Sequence, residues 1–151
     1  AVGVVRRDPM AMLPFCGYHM ADYWQHWLDM GEKLGDKAPK IFNVNWFRTD
    51  DEGSFIWPGF GDNLRVLEWI LKRCFNEADA QQTAIGFEPK PEDIDLEGSG
   101  VDLDTLKGLL GVDKALWQKE ARGIREFYQK FGEKLPKKLS EELDLLKARL
   151  K

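Results

Sequence analysis

Five aromatic side chains crowd the stretch from Trp46 to Asn63: Trp46, Phe47, Phe55, Trp57 and Phe60. They surround one turn and run into Gly59-Phe60-Gly61-Asp62-Asn63. In an extended chain successive side chains point to opposite faces, so Trp46 and Phe47 cannot both reach a core. By the same alternation Phe55 and Trp57 are expected on one face and Ile56 on the other. Some of these rings must therefore flank a cleft. Two aromatic faces about 7 Å apart accept a planar base, and each stacked contact is worth roughly 1–3 kcal/mol. Glycines on both sides of Phe60 let backbone groups approach closely, and the Asn63 amide offers both a donor and an acceptor for a purine edge. The same rings could instead fill a hairpin–helix core. A sandwich alone does not separate a purine from a sugar or a peptide aromatic.

Other chemistries lack their parts. There is no Gly-rich phosphate loop with a following Lys, so the phosphates of any nucleotide must be held elsewhere. Cys16 and His19 are close in sequence but have no orienting third group, and no catalytic residue is assigned to this chain. Cys16 and Cys74 give neither a disulfide framework nor a zinc site, and are expected to be buried, reduced thiols of a cytoplasmic protein. His19 and His26 are too few for a His-based metal site and are expected in packing or surface roles, leaving no metal ligand assigned in this chain.

The elements that must position the aromatic cluster can be read from periodicity and punctuation. Asp22 to about Leu34 is expected to be a helix, with Tyr23, Trp27 and Met30 beside Met20, Trp24 and Leu28 on a wide apolar face. Gly35 and Pro39 end it. The aromatic and β-branched content of Lys40–Arg48 predicts a strand, residues 49–54 a turn, and Phe55-Ile56-Trp57 a return strand, making a hairpin. Pro58 to Gly61 break it, and Asp62 or Asn63 is suited to cap a helix from Leu64 to Phe75. Residues 77–104 read as an acidic loop with a short strand near Ala84–Phe87. Leu103–Leu110 predicts a short helix. A longer helix follows from Asp113, a candidate N-cap, until Gly132 and Pro136 close it. A last helix is expected from the Ser140-Glu141 region to the end.

Composition narrows the classes of function. A chain of 151 residues can bury a core of its own. Nine Phe, six Trp and three Tyr exclude a solvated coil. Charged residues make up 32% of the chain, which leaves no apolar run of the roughly 20 residues that a membrane span requires. Residues 77–104 hold nine acidic groups against Lys90 alone, whereas the positive charges of residues 113–151 are interleaved with acids. Neither block makes a nucleic-acid footprint, so no nucleic-acid or membrane partner is expected. The opening Ala1-Val2-Gly3-Val4-Val5 lacks the order of a secretory signal and reads as the inside of a longer polypeptide.

Longer motifs then carry a resemblance. The run Arg7-Asp8-Pro9-Met10-Ala11-Met12-Leu13-Pro14-Phe15-Cys16-Gly17-Tyr18, then His26-Trp27-Leu28, then Pro39 to Arg48 with its Phe42-Asn43-Val44-Asn45-Trp46-Phe47 core, strongly resemble GTP-dependent phosphoenolpyruvate carboxykinases. Phe55-Ile56-Trp57-Pro58-Gly59-Phe60-Gly61-Asp62-Asn63 and the following Leu64 to Trp69 resemble them as well. The match is tightest over residues 3–75 and is similar to the C-terminal portion of that family. Two positions depart from it: His19 stands where the family commonly has Asn, and Asn43 where it commonly has His. Neither falls in the base pocket.

The resemblance implies an α/β fold, α+β as an isolated piece, with an aromatic hairpin and several helices. It implies one C-terminal enzyme portion over residues 1–151, with a guanine-binding region at 40–75, an acidic loop region at 77–104 and C-terminal helices at 113–151. The implied reaction converts oxaloacetate and GTP to phosphoenolpyruvate, GDP and carbon dioxide. Manganese and magnesium serve it, held by residues outside this chain. Phe47, Phe55 and Phe60 correspond to the rings that enclose guanine, Gly61, Asp62 and Asn63 to the nucleotide-contacting turn with Asn63 at the guanine edge, and Trp46 stands beside the stack. Phe15 corresponds to an aromatic near the substrate cleft. The implied partners are the nucleotide, oxaloacetate or phosphoenolpyruvate, and the remainder of the parent enzyme. The alternative class is a non-catalytic, aromatic-rich nucleotide-binding or interaction module.

Overall fold

The computed structural model describes residues 7–151. The chain divides by its internal packing into two compact units, one of the residues up to Pro39 with Lys114–Lys151 and one of Lys40–Asp113.

In the first unit, α1 (Met20–Leu34) follows two short 3-10 turns, and α4 (Lys114–Gln129) and α5 (Lys137–Arg149) complete it. Met20, Ala21 and Trp24 of α1 are buried, as are Ala121 of α4, Leu143 of α5 and Leu150 just beyond it. The Trp24 ring lies 4.5 Å from Phe131, 5.9 Å from Phe127 and 6.2 Å from Tyr128, so the helical stripe read from the sequence packs as an aromatic cluster. His19 caps α1 by accepting the Ala21 amide at Nδ1, 3.2 Å away. Gly35 ends the helix with a φ of 52°, a value that favours glycine. The last helix begins three residues earlier than the Ser140 start expected. Buried Pro136 stands at its N-cap, where fixed φ and a missing N–H cost nothing.

The second unit holds α2 (Asn63–Cys74), the antiparallel strands β1 (Gln81–Thr83) and β2 (Gly86–Glu88), and α3 (Leu103–Leu110). Trp57, Trp69, Ile94 and Leu106 form its buried core, with Phe42, Trp46, Val66 and Ile70 packed against them. Losing a buried tryptophan from such a core typically costs about 3–5 kcal/mol. The described residues are thus helices with one small antiparallel sheet, the coarse α/β content expected.

Several sequence expectations are corrected. Lys40–Arg48 forms no strand, and the expected hairpin shrinks to a single bridge between Thr49 and Phe55. The cause is local: the Asn45 side-chain oxygen accepts the Phe47 amide at 3.0 Å, turning the chain at Trp46–Phe47 before a ladder can extend. Phe55 and Trp57 do not share a face, because the bridge stops at Phe55 and the chain bends at Ile56 and Trp57. Ala84 and Ile85 are the turn between β1 and β2 rather than strand. Cys74 is exposed and Cys16 half-buried, so the free thiols are not core residues. Cys74 lies on the solvent side of α2, away from the face that Trp69 buries. No helix among the described residues is long and apolar enough to cross a membrane.

Candidate functional site

The aromatic cluster is built in three steps, each from a local rule. The Asn45 turn sends Trp46 inward, to 6.4 Å from the Trp57 ring, and leaves Phe47 71% exposed. Asp50 then accepts the amides of Glu52 and Ser54 on its carboxylate, at 3.0 and 2.8 Å, and Gly53 takes a φ of 83°. That reversal returns Phe55 to Phe47, with ring centroids 5.9 Å apart and planes at 60°. The two rings meet edge to face, so the slot of parallel faces pictured from the sequence is not formed by this pair. Phe55 is 64% exposed.

Trp57 turns into the core, and Gly59 follows with φ 108° and ψ −150°, a conformation that only glycine adopts without strain. Its turn throws Phe60 outward, to 93% exposure, at the head of a 3-10 turn over Phe60–Asp62 that leads into α2. Three phenylalanines therefore stand in water while two tryptophans fill the space behind them. Single exposed apolar residues are ordinary, whereas a group of them beside a glycine turn makes this the candidate surface for a ligand or partner.

Neither Asp62 nor Asn63 caps α2 with its side chain, contrary to expectation. The Asp62 carboxylate accepts from Arg65 Nε at 2.8 Å, and the Asn63 oxygen accepts from the Trp57 indole at 2.9 Å. Arg65 also donates to the carbonyls of Asp95 and Glu97, at 2.8 and 2.7 Å, tying the acidic loop to the start of α2. Arg48 donates from Nη1 to the carbonyls of Gly108 and Leu109, at 3.1 and 2.6 Å, anchoring the Phe47 turn to the end of α3. The sequence reading placed Trp57 at the frame of the cluster but missed its bond to Asn63, and missed Arg48 and Arg65 as supports. Only the Asp62–Arg65 pair, at helical i,i+3 spacing, left a signal in the pattern.

Trp46, Phe47, Phe55, Phe60, Gly61, Asp62 and Asn63 thus fall within the second unit, on one segment and the helix start that follows it. Phe15 belongs to the first unit, 80% exposed at the end of the Leu13–Phe15 turn. No three His, Cys, Asp or Glu side chains gather where a metal ion could sit among the described residues. The described residues therefore offer no clustered donor set for manganese or magnesium.

The described residues form a helical α+β piece that carries exposed rings on a glycine turn. The chain belongs to the family of the phosphoenolpyruvate carboxykinase C-terminal P-loop domain, whose model matches residues 1–149. It is 54% identical over 151 residues to a Treponema pallidum protein named phosphoenolpyruvate carboxykinase [GTP], covering 99% of this chain and 24% of that protein. Similar proteins of the same name occur in Paenarthrobacter aurescens, 53% identical over 99% of this chain and 25% of the relative, and in Corynebacterium kroppenstedtii, 47% identical over 99% and 24%. The chain spans about a quarter of the length of these curated relatives.

Proposed function

We propose that this chain is the base-recognising C-terminal portion of a cytoplasmic GTP-dependent phosphoenolpyruvate carboxykinase. The parent enzyme would convert oxaloacetate and GTP to phosphoenolpyruvate, GDP and carbon dioxide. Decarboxylation leaves an enolate whose oxygen takes the γ-phosphoryl group. The observation that carries the reading is the trio of exposed rings, Phe47, Phe55 and Phe60, beside the Gly61-Asp62-Asn63 helix start. Guanine lies between Phe60 and the edge-to-face pair of Phe47 and Phe55, with Asn63 at its polar edge and Trp46 behind the stack. Phe15 contributes to the substrate cleft.

In this division of labour residues 40–75 select and orient the base, residues 77–104 brace that region and residues 113–151 are C-terminal helices with no part in the base site. Phosphate binding, metal binding and the decarboxylation step rest on the remainder of the parent. Manganese and magnesium supply charge neutralisation at the reacting oxygens when bound there. Positioning of this kind contributes a large share of a phosphoryl-transfer rate.

The test is made on the full-length protein that carries these residues. Guanine nucleotide, and not adenine nucleotide, quenches its tryptophan fluorescence, with Trp46 nearest the base. Phe60→Ala raises the GTP concentration needed for turnover about five- to 150-fold, as loss of a stacked ring of about 1–3 kcal/mol requires. The oxaloacetate requirement changes much less. An equal loss for both substrates would overturn the stacking role.

A further inference from the structure

We propose that Trp57 sets the base specificity of this pocket, by engaging the Asn63 amide oxygen and leaving the NH2 arm of the amide for the ligand. The inference rests on the guanine reading above and adds to it the residue that makes the reading selective. An indole nitrogen is a donor and never an acceptor. The Asn63 atom 2.9 Å from Trp57 Nε1 is therefore the amide oxygen, Oδ1. With the oxygen committed to the indole, Nδ2 is the other arm of the planar amide. No hydrogen bond from it is seen among the described residues.

The arrangement is held against rotation from both ends. Trp57 is 5% exposed and packed in the core with Trp69, Ile94 and Leu106, so its indole cannot follow a rotating amide. Asn63 sits in helical conformation, φ −60° and ψ −30°, with its backbone amide bonded to the Phe60 carbonyl. Flipping the amide would set NH2 against the indole N–H and leave a buried donor unpaired, which disfavours the flipped form about tenfold or more.

The two purines differ at the atom such an amide meets. Guanine carries the acceptor O6 and adenine the donor N6 amine. A fixed NH2 group pairs with O6 and faces N6 donor to donor. Sites that hydrogen-bond a defined group reject analogues lacking it far more strongly than apolar pockets do. Trp57 is a positioning residue here, acting on the base only through Asn63.

The experiment measures GDP and ADP binding to the full-length protein that carries these residues, unsubstituted and as Trp57→Phe, Asn63→Asp and Phe60→Ala. Trp57→Phe keeps an aromatic ring in the core and frees the amide to present its oxygen. The expected result is a drop of about tenfold in the GDP-to-ADP affinity ratio, from weaker GDP and stronger ADP binding. Asn63→Asp keeps an oxygen for the indole and turns a second oxygen to the base, and is expected to bring the ratio to one or below. A Trp57→Phe protein that weakens both nucleotides equally, with the ratio unchanged, overturns the inference. Should Trp57→Phe not fold, Asn63→Asp decides alone, an unchanged ratio being the overturning result. Phe60→Ala separates the two levels of the argument. Unchanged GDP affinity in that variant removes the pocket reading and the inference with it. Weakened GDP binding together with a fixed ratio in the other variants removes only the inference.

Discussion

Arg48 does for the aromatic turn what a clasp does for a loop. Its Nη1 reaches two carbonyls at the end of α3, where the helix leaves acceptors unsatisfied and its dipole favours a cation. Hydrogen bonds from a charged donor contribute about 1.5–3 kcal/mol. Arg48→Met, which keeps the aliphatic stem, is expected to lower the unfolding free energy by that amount, read as a shift of the urea midpoint at unchanged m-value. Arg48→Lys recovers only part of it, because an ammonium is a compact point charge on a flexible stem. Residue by residue, the candidate site was partly legible. Phe60 stands beside glycine turn signals that the sequence displays openly, so its exposure follows from punctuation, whereas Phe47 owes its exposure to the Asn45 turn that propensity hid. The Trp57–Asn63 hydrogen bond spans six residues of irregular backbone, and no periodicity marks a contact of that kind.

At the scale of elements, helices were legible because their pattern repeats. α1, α2 and α3 fall within two residues of the bounds read from apolar spacing. Lys40–Arg48 was not, because strand content there competes with an Asx turn that the propensities of Trp, Phe and Val do not register. α3 also carries a pH dependence. Asp102 caps it by accepting the Thr105 amide at 2.7 Å, and this hydrogen bond is the leading cause that lowers its pKa below the usual 3.8. A carboxyl whose folded value lies below its unfolded value stabilises the protein fully above the unfolded value. That contribution fades as the pH falls through the folded one. Asp102→Asn keeps a capping oxygen without the charge. The variant is expected to melt slightly below the unsubstituted protein at pH 7. The two melting temperatures should converge once the pH has fallen through the lowered Asp102 value. A gap that stays constant across the acid range would assign Asp102 no titrating role.

The whole molecule sets the limit of what recognition by rings can achieve. Stacking on two faces of a base is worth about 2–6 kcal/mol, and association itself opposes binding by about 4 kcal/mol or more. The chain alone is therefore expected to hold a guanine nucleotide no more tightly than about 30 mM. Three cations that flank the aromatic turn in the sequence are already engaged. Arg48 is on the α3 carbonyls, Arg65 on Asp62 and two loop carbonyls, and Lys40 on the Arg73 carbonyl and the Asn76 side chain. Added phosphates then find no new partner in this segment. GMP, GDP and GTP are expected to bind these 151 residues with equal affinity in an NMR titration, and oxaloacetate with GTP to give no phosphoenolpyruvate. In the full-length protein the same series should tighten steeply with phosphate number, because a phosphate loop then adds its backbone donors. A steep series in the 151 residues alone would place phosphate-binding groups within this chain and undo the division of labour proposed for it. A flat series that is nonetheless guanine-selective isolates base recognition as a property of the aromatic turn itself.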